Sequence, residues 1–220
     1  KGRKLNPIKV KSKAKPIEIR EILYQRPPFN YEVAYGMIEN FLINNLPKEY
    51  TYHSIHHIRD VVEQSERIAK KEKINKEDIA DLKLAAWLHD VGYIWEPARH
   101  EARGAEYATV VLNAMDFPAQ KINRITGMIM ATKIPQSPKN LLEQIICDAD
   151  LDYLGREDYK ANSTLLLEEL RLKKEISELE WLKIQDQFLT KHVYFTKTSN
   201  STRNTQKAKV LANIKTQLKK

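Results

Sequence analysis

The sequence predicts an all-α domain, and three observations support this fold class. From Tyr31 onward, apolar residues recur at intervals of three and four, which is the spacing of one helix face. No stretch shows the bounded alternation of β-branched residues that is typical of a strand. The chain has only six glycines in 220 residues, so it offers few of the tight turns that a hairpin-rich fold needs.

The helical pattern divides into nine segments, and turn and cap residues lie at several of their ends. Asn75 is a predicted N-cap, because acidic residues follow it in the first turn, where the helix dipole favours them. Pro118 suits the first turn of its helix, and Pro135 and Pro138 interrupt the pattern between two others. The predicted helices are 31–46, 54–72, 76–92, 99–115, 118–132, 138–153, 157–172, 176–190 and 203–219.

Charge divides the chain into three parts. Residues 1–30 contain four prolines and are predicted to be an extended basic N-terminal arm, in which residues 1–26 carry +7. Residues 197–220 are a predicted basic C-terminal helix or tail with another +7; since the whole chain carries +8, the segment between these basic stretches carries −6. We therefore predict a helical domain over 31–196. No aromatic residues suited to base stacking are interleaved with the basic ones, so we expect solvated arms, or arms folded over the acidic body.

Composition limits the class of protein. A hydrophobic content of 42% is enough for a sizeable core, and 30% charged residues indicate a soluble surface. No run of 18 apolar residues exists, so no membrane span is expected, and the basic N-terminus lacks the apolar segment of a signal peptide. Cys147 is the only cysteine, which excludes an intrachain disulfide and favours a reducing, cytoplasmic location.

Residues 82–92 are the most informative segment. Apolar residues lie on nearly all sides of this predicted helix, so it should be buried at the centre of the domain. His89 lies on the apolar face of the helix, and Asp90 follows it. A buried imidazole and a buried carboxylate are costly when unpaired, so Asp90 needs a neutralising partner. By itself the pair is weak evidence for a functional site. A core histidine with its hydrogen bonds satisfied and an aspartate that caps the end of the helix also explain it.

Two further segments place polar residues beside apolar helix faces. His53, His56 and His57 cluster where the second predicted helix begins; His57 borders the apolar face, whereas His56 points away from it. Asp148 and Asp150 both flank the apolar face of a later helix, and helical geometry does not choose between them. Imidazoles and carboxylates on separate buried helices are a ligand set that suits a divalent transition metal.

These segments resemble the HD superfamily of metal-dependent phosphohydrolases, whose signature is H…HD…D. The similarity covers roughly residues 50–155: residues 52–57 resemble the Tyr-His-x-x-x-His segment, 88–92 the central His-Asp pair, and 148–150 the final element, in which the aspartate after alanine is the usual ligand. The resemblance implies an HD-domain-like helical bundle with one divalent ion (Mn, Fe, Co, Ni, Zn or Mg) buried at its centre. The implied metal ligands are His57, His89, Asp90 and Asp150.

The same resemblance implies that metal-activated water hydrolyses a phosphate ester of a small metabolite, most often a nucleotide. A divalent cation lowers the pKa of bound water and polarises phosphoryl oxygens. Asp90 would also accept a proton from that water. Glu101 is the predicted general acid, with Glu96 as the other candidate; an ordinary surface glutamate is an equal alternative for Glu101. The predicted substrate contacts are His100, Arg103 and Lys133. Lys133 is also a catalytic candidate, or it compensates the dipole of a helix end.

The chain departs from the family pattern at two positions. Thr132 stands where members with two metals have another histidine, so a single ion is favoured. Tyr93 stands where the family's deoxynucleotidases often have a glutamate. Two other functions stay open: a non-catalytic HD domain that senses a nucleotide or a partner protein, and a nucleic-acid-processing phosphodiesterase. The leucines at 165–167 and 170 are predicted to form core or a homodimer face, and neither a membrane nor a nucleic acid is an expected partner.

Overall fold

The computed structural model describes residues 29–220 and two short strands nearer the N-terminus. Strands β1 (Arg3–Lys4) and β2 (Arg20–Glu21) pair antiparallel, and the rest of the predicted N-terminal arm up to residue 28 lies outside the described residues. From residue 31 the chain is helical, as predicted. The helices are α1 (Tyr31–Asn45), α2 (Ile55–Lys71), α3 (Lys76–Leu88), α4 (His100–Ala114), α5 (Ala119–Ala131), α6 (Leu141–Asp150), α7 (Tyr159–Arg171), α8 (Glu178–Lys191) and α9 (Lys197–Gln217). Across the part of the chain that the structure describes, no helix is long and apolar enough to cross a bilayer.

Helix α3 is the central helix, as its apolar composition predicts. Leu82, Leu84 and Leu88 are completely buried, and α3 packs against α1, α2, α5 and α6. Burying each large apolar side chain contributes roughly 1.5–3 kcal/mol to stability. The residues that follow α3 are therefore held in a fixed position at the middle of the domain.

Helix α3 ends at Leu88, four residues before its predicted end. His89 keeps helical backbone angles, and a separate 3₁₀ turn covers Val91–Ile94. The close approach of this turn to α4 explains the early end. A side-chain carbon at Gly92 would lie 2.0 Å from the backbone oxygen of His100, so only glycine permits this packing. The His-Asp pair thus lies where a buried helix changes into a turn.

The basic C-terminal segment forms a helix that packs on the domain. Helix α9 begins six residues before its predicted start, because the hydroxyl of Thr196 caps it by accepting a hydrogen bond from the backbone N–H of Ser199 at 3.1 Å. The helix packs against α8, α2 and the 3₁₀ turn after α6. Arg203 donates from Nε to the buried carboxylate of Asp152 at 2.8 Å. This contact joins the basic helix to the acidic body.

A second group of apolar residues lies between the C-terminal helices. It includes Tyr153 and Tyr159 with Leu189 and Ile214. Of the leucine stripe on α7, Leu167 is buried with Trp181 and belongs to the core, whereas Leu165 is 39% exposed.

Candidate metal centre

His57 enters the centre from the first turn of α2. Its Nε2 atom lies 3.2 Å from Oδ1 of Asp150 and 3.5 Å from Oδ2 of Asp90. The ring of Tyr52 packs at 4.7 Å between centroids and fixes the imidazole from one side. His56, the neighbouring residue, is exposed, as the helix pattern predicts.

His89 comes from the end of α3 and is almost completely buried. Its Nδ1–H donates to the backbone oxygen of Ala86 at 2.7 Å, so the lone pair is on Nε2. That Nε2 atom lies 3.2 Å from Oδ2 of Asp90 and 3.6 Å from Oδ1 of Asp150. Within the described residues, neither Nε2 of His89 nor Oδ2 of Asp90 has a hydrogen-bond partner. Two buried polar atoms in contact without a hydrogen bond indicate that a further group belongs between them.

The donor set fits a divalent transition metal. The ligand atoms of His57, His89 and Asp90 all lie within 4.8 Å of one another, and Asp150 reaches both imidazoles. The imidazole–carboxylate distances of 3.2–3.6 Å bracket the spacing of about 3.4 Å that tetrahedral ligands have when each is about 2.1 Å from an ion. The hydrogen bond from Nδ1 of His89 to a carbonyl is also the outer contact that orients metal-binding imidazoles.

The pKa values of these groups depend on one another. Burial raises the pKa of Asp90, but the neighbouring imidazoles, above all His89, outweigh burial and hold it well below its usual range. Burial also opposes ionisation of Asp150, whereas the neighbouring imidazoles of His57 and His89 lower its pKa to about 2. Burial lowers the pKa of His89, but the two carboxylates raise it well above its ordinary value. The cluster therefore requires positive charge between its carboxylates, supplied by protons or by a cation.

The structure distinguishes the two aspartates that the helix pattern left open. The carboxylate of Asp148 accepts hydrogen bonds from the backbone N–H groups of Phe195 and Thr196, both at 2.8 Å, and from the Thr196 hydroxyl at 2.7 Å. It anchors the segment that starts α9. Asp150 contacts the imidazoles instead. This is the arrangement that the resemblance implied and that helical angles alone could not show.

The centre forms one wall of a cavity of about 240 Å³, which Asp90, His100, Glu101 and Asp150 line. His100 donates from Nδ1 to the backbone oxygen of Pro97 at 2.9 Å. Its Nε2 lies 3.6 Å from Oδ1 of Asp90 and 3.4 Å from Oε1 of Glu101. Glu101 is 7% exposed, so it is not the ordinary surface glutamate that was its alternative. Both predicted residues lie beside the candidate metal ligands, and their chemical roles stay predictions.

The two predicted cationic contacts lie elsewhere. Arg103 is exposed, and its guanidinium pairs with Glu96 at 2.9 Å and with Glu106 at 2.8 Å. Lys133 is exposed as well; its chain neighbours Thr132 and Ile134 line the cavity, but Lys133 does not. The structure does not bring these two side chains to the centre, and their predicted contacts with substrate remain predictions.

One buried network at the cavity was not predicted. His53 donates from Nδ1 to Oε1 of Glu169 at 2.5 Å, and its Nε2 accepts the hydroxyl of Tyr93 at 2.9 Å. Oε2 of Glu169 also accepts the backbone N–H groups of Tyr52 and His53, at 3.0 and 2.9 Å. His53 and Tyr93 line the cavity. The histidine cluster was visible in the sequence, but Glu169 is 116 residues away and gave no local signal.

Comparisons with known proteins support the same family. A model of the HD-CE family matches residues 48–126, which include His57, His89, Asp90 and His100. A predicted HD superfamily hydrolase from an uncultured Thermotogales bacterium is 22% identical, with 83% of this chain and 90% of that chain covered and a TM-score of 0.57. No curated protein sequence matches the chain.

Two further solved structures share the fold. A Lactobacillus plantarum protein is 19% identical over 86% of this chain and 96% of that chain, with a TM-score of 0.60. YpgQ of Bacillus subtilis, solved in complex with ADP, is 15% identical over 84% of this chain and 96% of that chain, with a TM-score of 0.56. The family model covers the segment that supplies three of the four clustered residues, and the solved structures share the all-α architecture, so this chain is similar to HD-CE proteins over residues 48–126 and has the fold of these structures.

Proposed function

We propose that this protein is a metal-dependent phosphohydrolase that cleaves a phosphate ester of a small metabolite. The observation that carries the proposal is the pair of buried atoms, Nε2 of His89 and Oδ2 of Asp90, which lie 3.2 Å apart without a hydrogen-bond partner in the described chain. They belong to a cluster at the wall of a cavity that a small molecule can enter. Buried polar groups of this kind are costly unless a ligand or ion satisfies them.

His57, His89, Asp90 and Asp150 are the residues that would hold the ion. When bound, a divalent ion supplies a water of lowered pKa and charge that stabilises the phosphoryl oxygens. Oδ1 of Asp90 is the oxygen that would accept a proton from this water. It lies 3.6 Å from Nε2 of His100. Glu101 and His100 stand on the same cavity wall, 3.4 Å apart, where a proton can be held for a leaving group. Apolar residues that line the rest of the cavity exclude bulk water.

A nucleotide is the substrate class that we favour. Two observations support it: aromatic side chains, including Tyr153 and Trp181, line the cavity beyond the metal ligands, and the similar Bacillus subtilis structure contains ADP. Flat bases bind well beside aromatic side chains. This part of the proposal rests on similarity of fold and on the character of the lining.

Metal analysis and turnover test the proposal together. We expect about one divalent transition metal per chain, and hydrolysis of a general phosphate ester such as p-nitrophenyl phosphate by the loaded protein. His89→Ala should remove both metal and activity. His56→Ala is the matched control: it changes the neighbouring, exposed histidine of α2 and should leave both measurements unchanged.

Two outcomes would contradict the proposal in different ways. Parent protein that binds no metal under any loading condition would remove the hydrolase interpretation. Metal and nucleotide binding without turnover would favour the sensing function instead.

A further inference from the structure

Among the described residues, no lysine or arginine lines the cavity beside the candidate metal centre. Within residues 29–220, its charged lining residues are Asp90, Glu101 and Asp150, with His53 and His100 as further polar groups. Three carboxylates and one divalent ion leave a formal charge of −1 before substrate binds. A triphosphate would bring several more negative charges to a site that offers the metal alone as counter-charge, which like-charge repulsion disfavours.

The far side of the cavity is apolar and aromatic. Between α7 and α8 it is lined by Leu166, Leu170, Trp181, Ile184 and Phe188. Surfaces of this kind bind flat or aliphatic groups and give no compensation for buried hydroxyl groups.

The few polar groups on this side already bond to one another. Oε1 of Gln185 accepts the hydroxyl groups of Tyr159 at 2.5 Å and Ser163 at 2.8 Å. Nε2 of Gln185 reaches the backbone oxygen of Trp181 at 3.4 Å. Because these groups already bond to one another, they offer little to hydroxyl groups of a ligand that lies at this end of the cavity.

The size of the cavity sets a further limit. A volume of about 240 Å³ lies just below the roughly 300–1,000 Å³ of typical small-molecule sites. A second cavity of about 390 Å³ shares four lining residues with the first: Ile134, Leu151, Ile184 and Phe188. A ligand that extended past these shared apolar residues would enter the second cavity, whose lining also includes Gln136, Gln187 and the exposed Lys191.

We infer that the substrate carries a single phosphate group and presents a flat or apolar group to the far end of the cavity, and that polyphosphates and small phosphates without such a group, such as glycerol phosphate, are poor substrates. Among nucleotides, this selects a nucleoside monophosphate over a triphosphate. The inference rests on the proposed function, since it assigns the phosphate to the metal end of the cavity and the apolar group to the end between α7 and α8.

Two matched pairs of substrates test the inference with the metal-loaded full chain. Phenyl phosphate should exceed glycerol 3-phosphate in kcat/KM by about tenfold or more, the range that a single apolar group contributes in a fitting pocket. Adenosine monophosphate should exceed adenosine triphosphate by a similar factor. If glycerol 3-phosphate is the better substrate of the first pair, or adenosine triphosphate of the second, the inference is wrong. The proposed function would be unaffected, because a phosphate ester is still hydrolysed.

Ile184→Arg tests the position of the apolar end. Ile184 lines both cavities and is 39% exposed, so an arginine can be accommodated without a buried charge. We expect kcat/KM for phenyl phosphate to fall about tenfold and the preference for monophosphate over triphosphate to narrow, because the cavity gains a cation. Leu179→Arg is the control, since Leu179 is an exposed residue of α8 that lines neither cavity. Equal behaviour of the two variants would contradict the inference.

A binding measurement tests the apolar end of the cavity separately from the proposed function. If the metal-loaded protein hydrolyses no phosphate ester, binding of phenylphosphonate is measured by the fluorescence of Trp181, which lines the cavity. Binding that Ile184→Arg weakens and Leu179→Arg does not would support the apolar site on its own. Absence of binding would overturn it.

Discussion

Buried carboxylates are neutralised in two different ways in this domain. Asp152 is completely buried, and its oxygens lie 2.9 Å from a guanidinium nitrogen of Arg67 and 2.8 Å from one of Arg203. Asp90 is nearly as buried, but imidazoles are its neighbours, at 3.2–3.6 Å. Guanidinium groups are permanent cations, whereas imidazoles carry charge only when protonated. The first centre is neutralised by permanent cations, and the second depends on protons or on a metal.

Asp81 repeats the first solution. It is completely buried on α3, where it accepts the hydroxyl of Tyr31 at 2.5 Å and pairs with Arg124 and Lys121. Asp81 and Asp152 thus both receive fixed cations. The contrast at Asp90 indicates a site that is built to bind a ligand and not to stabilise the fold.

Asp152→Asn should mainly lower stability, whereas Asp90→Asn should mainly abolish metal binding and turnover. This is the largest difference that we expect. Asp152→Asn leaves two guanidinium groups without their shared anion and should lower the free energy of unfolding by about 3–5 kcal/mol, with the metal site kept. Asp90→Asn should abolish turnover and metal binding, while metal-free protein loses less stability than in Asp152→Asn, because imidazoles that lose their anion can release a proton whereas guanidinium groups cannot. Denaturant unfolding of metal-free protein and metal analysis measure both effects. Equal losses of unfolding free energy in the two variants would contradict the difference that we draw between Asp90 and Asp152.

The two aspartates of α6 sharpen the comparison within one helix turn. Asp150→Asn should strip most of the metal. Asp148→Asn should retain metal but lower the free energy of unfolding by about 1–3 kcal/mol, since an amide nitrogen would face backbone N–H groups of Phe195 and Thr196. The same two measurements distinguish the variants. If Asp148→Asn loses metal while its fold stays intact, Asp148 is a metal ligand and not only the anchor of the segment that starts α9.

Glu169→Gln tests the buried network that orients His53. We expect kcat to fall by about 10–100-fold, which is typical when an outer hydrogen-bond partner of a site is changed. Metal content should remain, because Glu169 contacts His53 and not the metal ligands. Glu175→Gln is the control, an exposed glutamate in the loop after α7. A loss of metal in Glu169→Gln would move His53 from a positioning role into the metal centre.

The sequence predicted those parts of the molecule that local pattern controls. Apolar periodicity located the helices, and Asn75 does cap α3 by accepting the backbone N–H of Asp78 at 2.9 Å. The end of α3 was missed because it depends on the contact of Gly92 with the backbone of His100, which no local signal encodes. Helix angles could not separate Asp148 from Asp150, because their difference lies in the partners that each one meets.

Long-range partners explain the remaining gaps at the site. The contact of His53 with Glu169 joins residues 116 positions apart, so periodicity in either segment gives no sign of it. Arg103 had the right charge for a phosphate contact, but Glu96 and Glu106 on the surface engage it. Residue type and helix face therefore predicted candidate ligands, and only the packing of helices decided which of them meet.

His89 and His192 differ in the direction in which their surroundings shift the pKa. The effect that we expect from this difference is the smallest. Carboxylates raise the pKa of His89, whereas burial and the nearby ammonium of Lys207 lower that of His192 to about 3. In the unfolded chain a histidine titrates near about 6.5. Between that pH and 3 the unfolded state binds a proton that folded His192 does not, so its contribution to stability is intact above 6.5 and decreases as the pH falls, by at most about 1.4 kcal/mol per pH unit. His192→Gln should therefore flatten the pH dependence of unfolding free energy between pH 6.5 and 5, measured on metal-free protein, whereas exposed His56→Gln should leave it unchanged. If both variants keep the parent slope, His192 is protonated in the folded protein and the contrast with His89 is wrong.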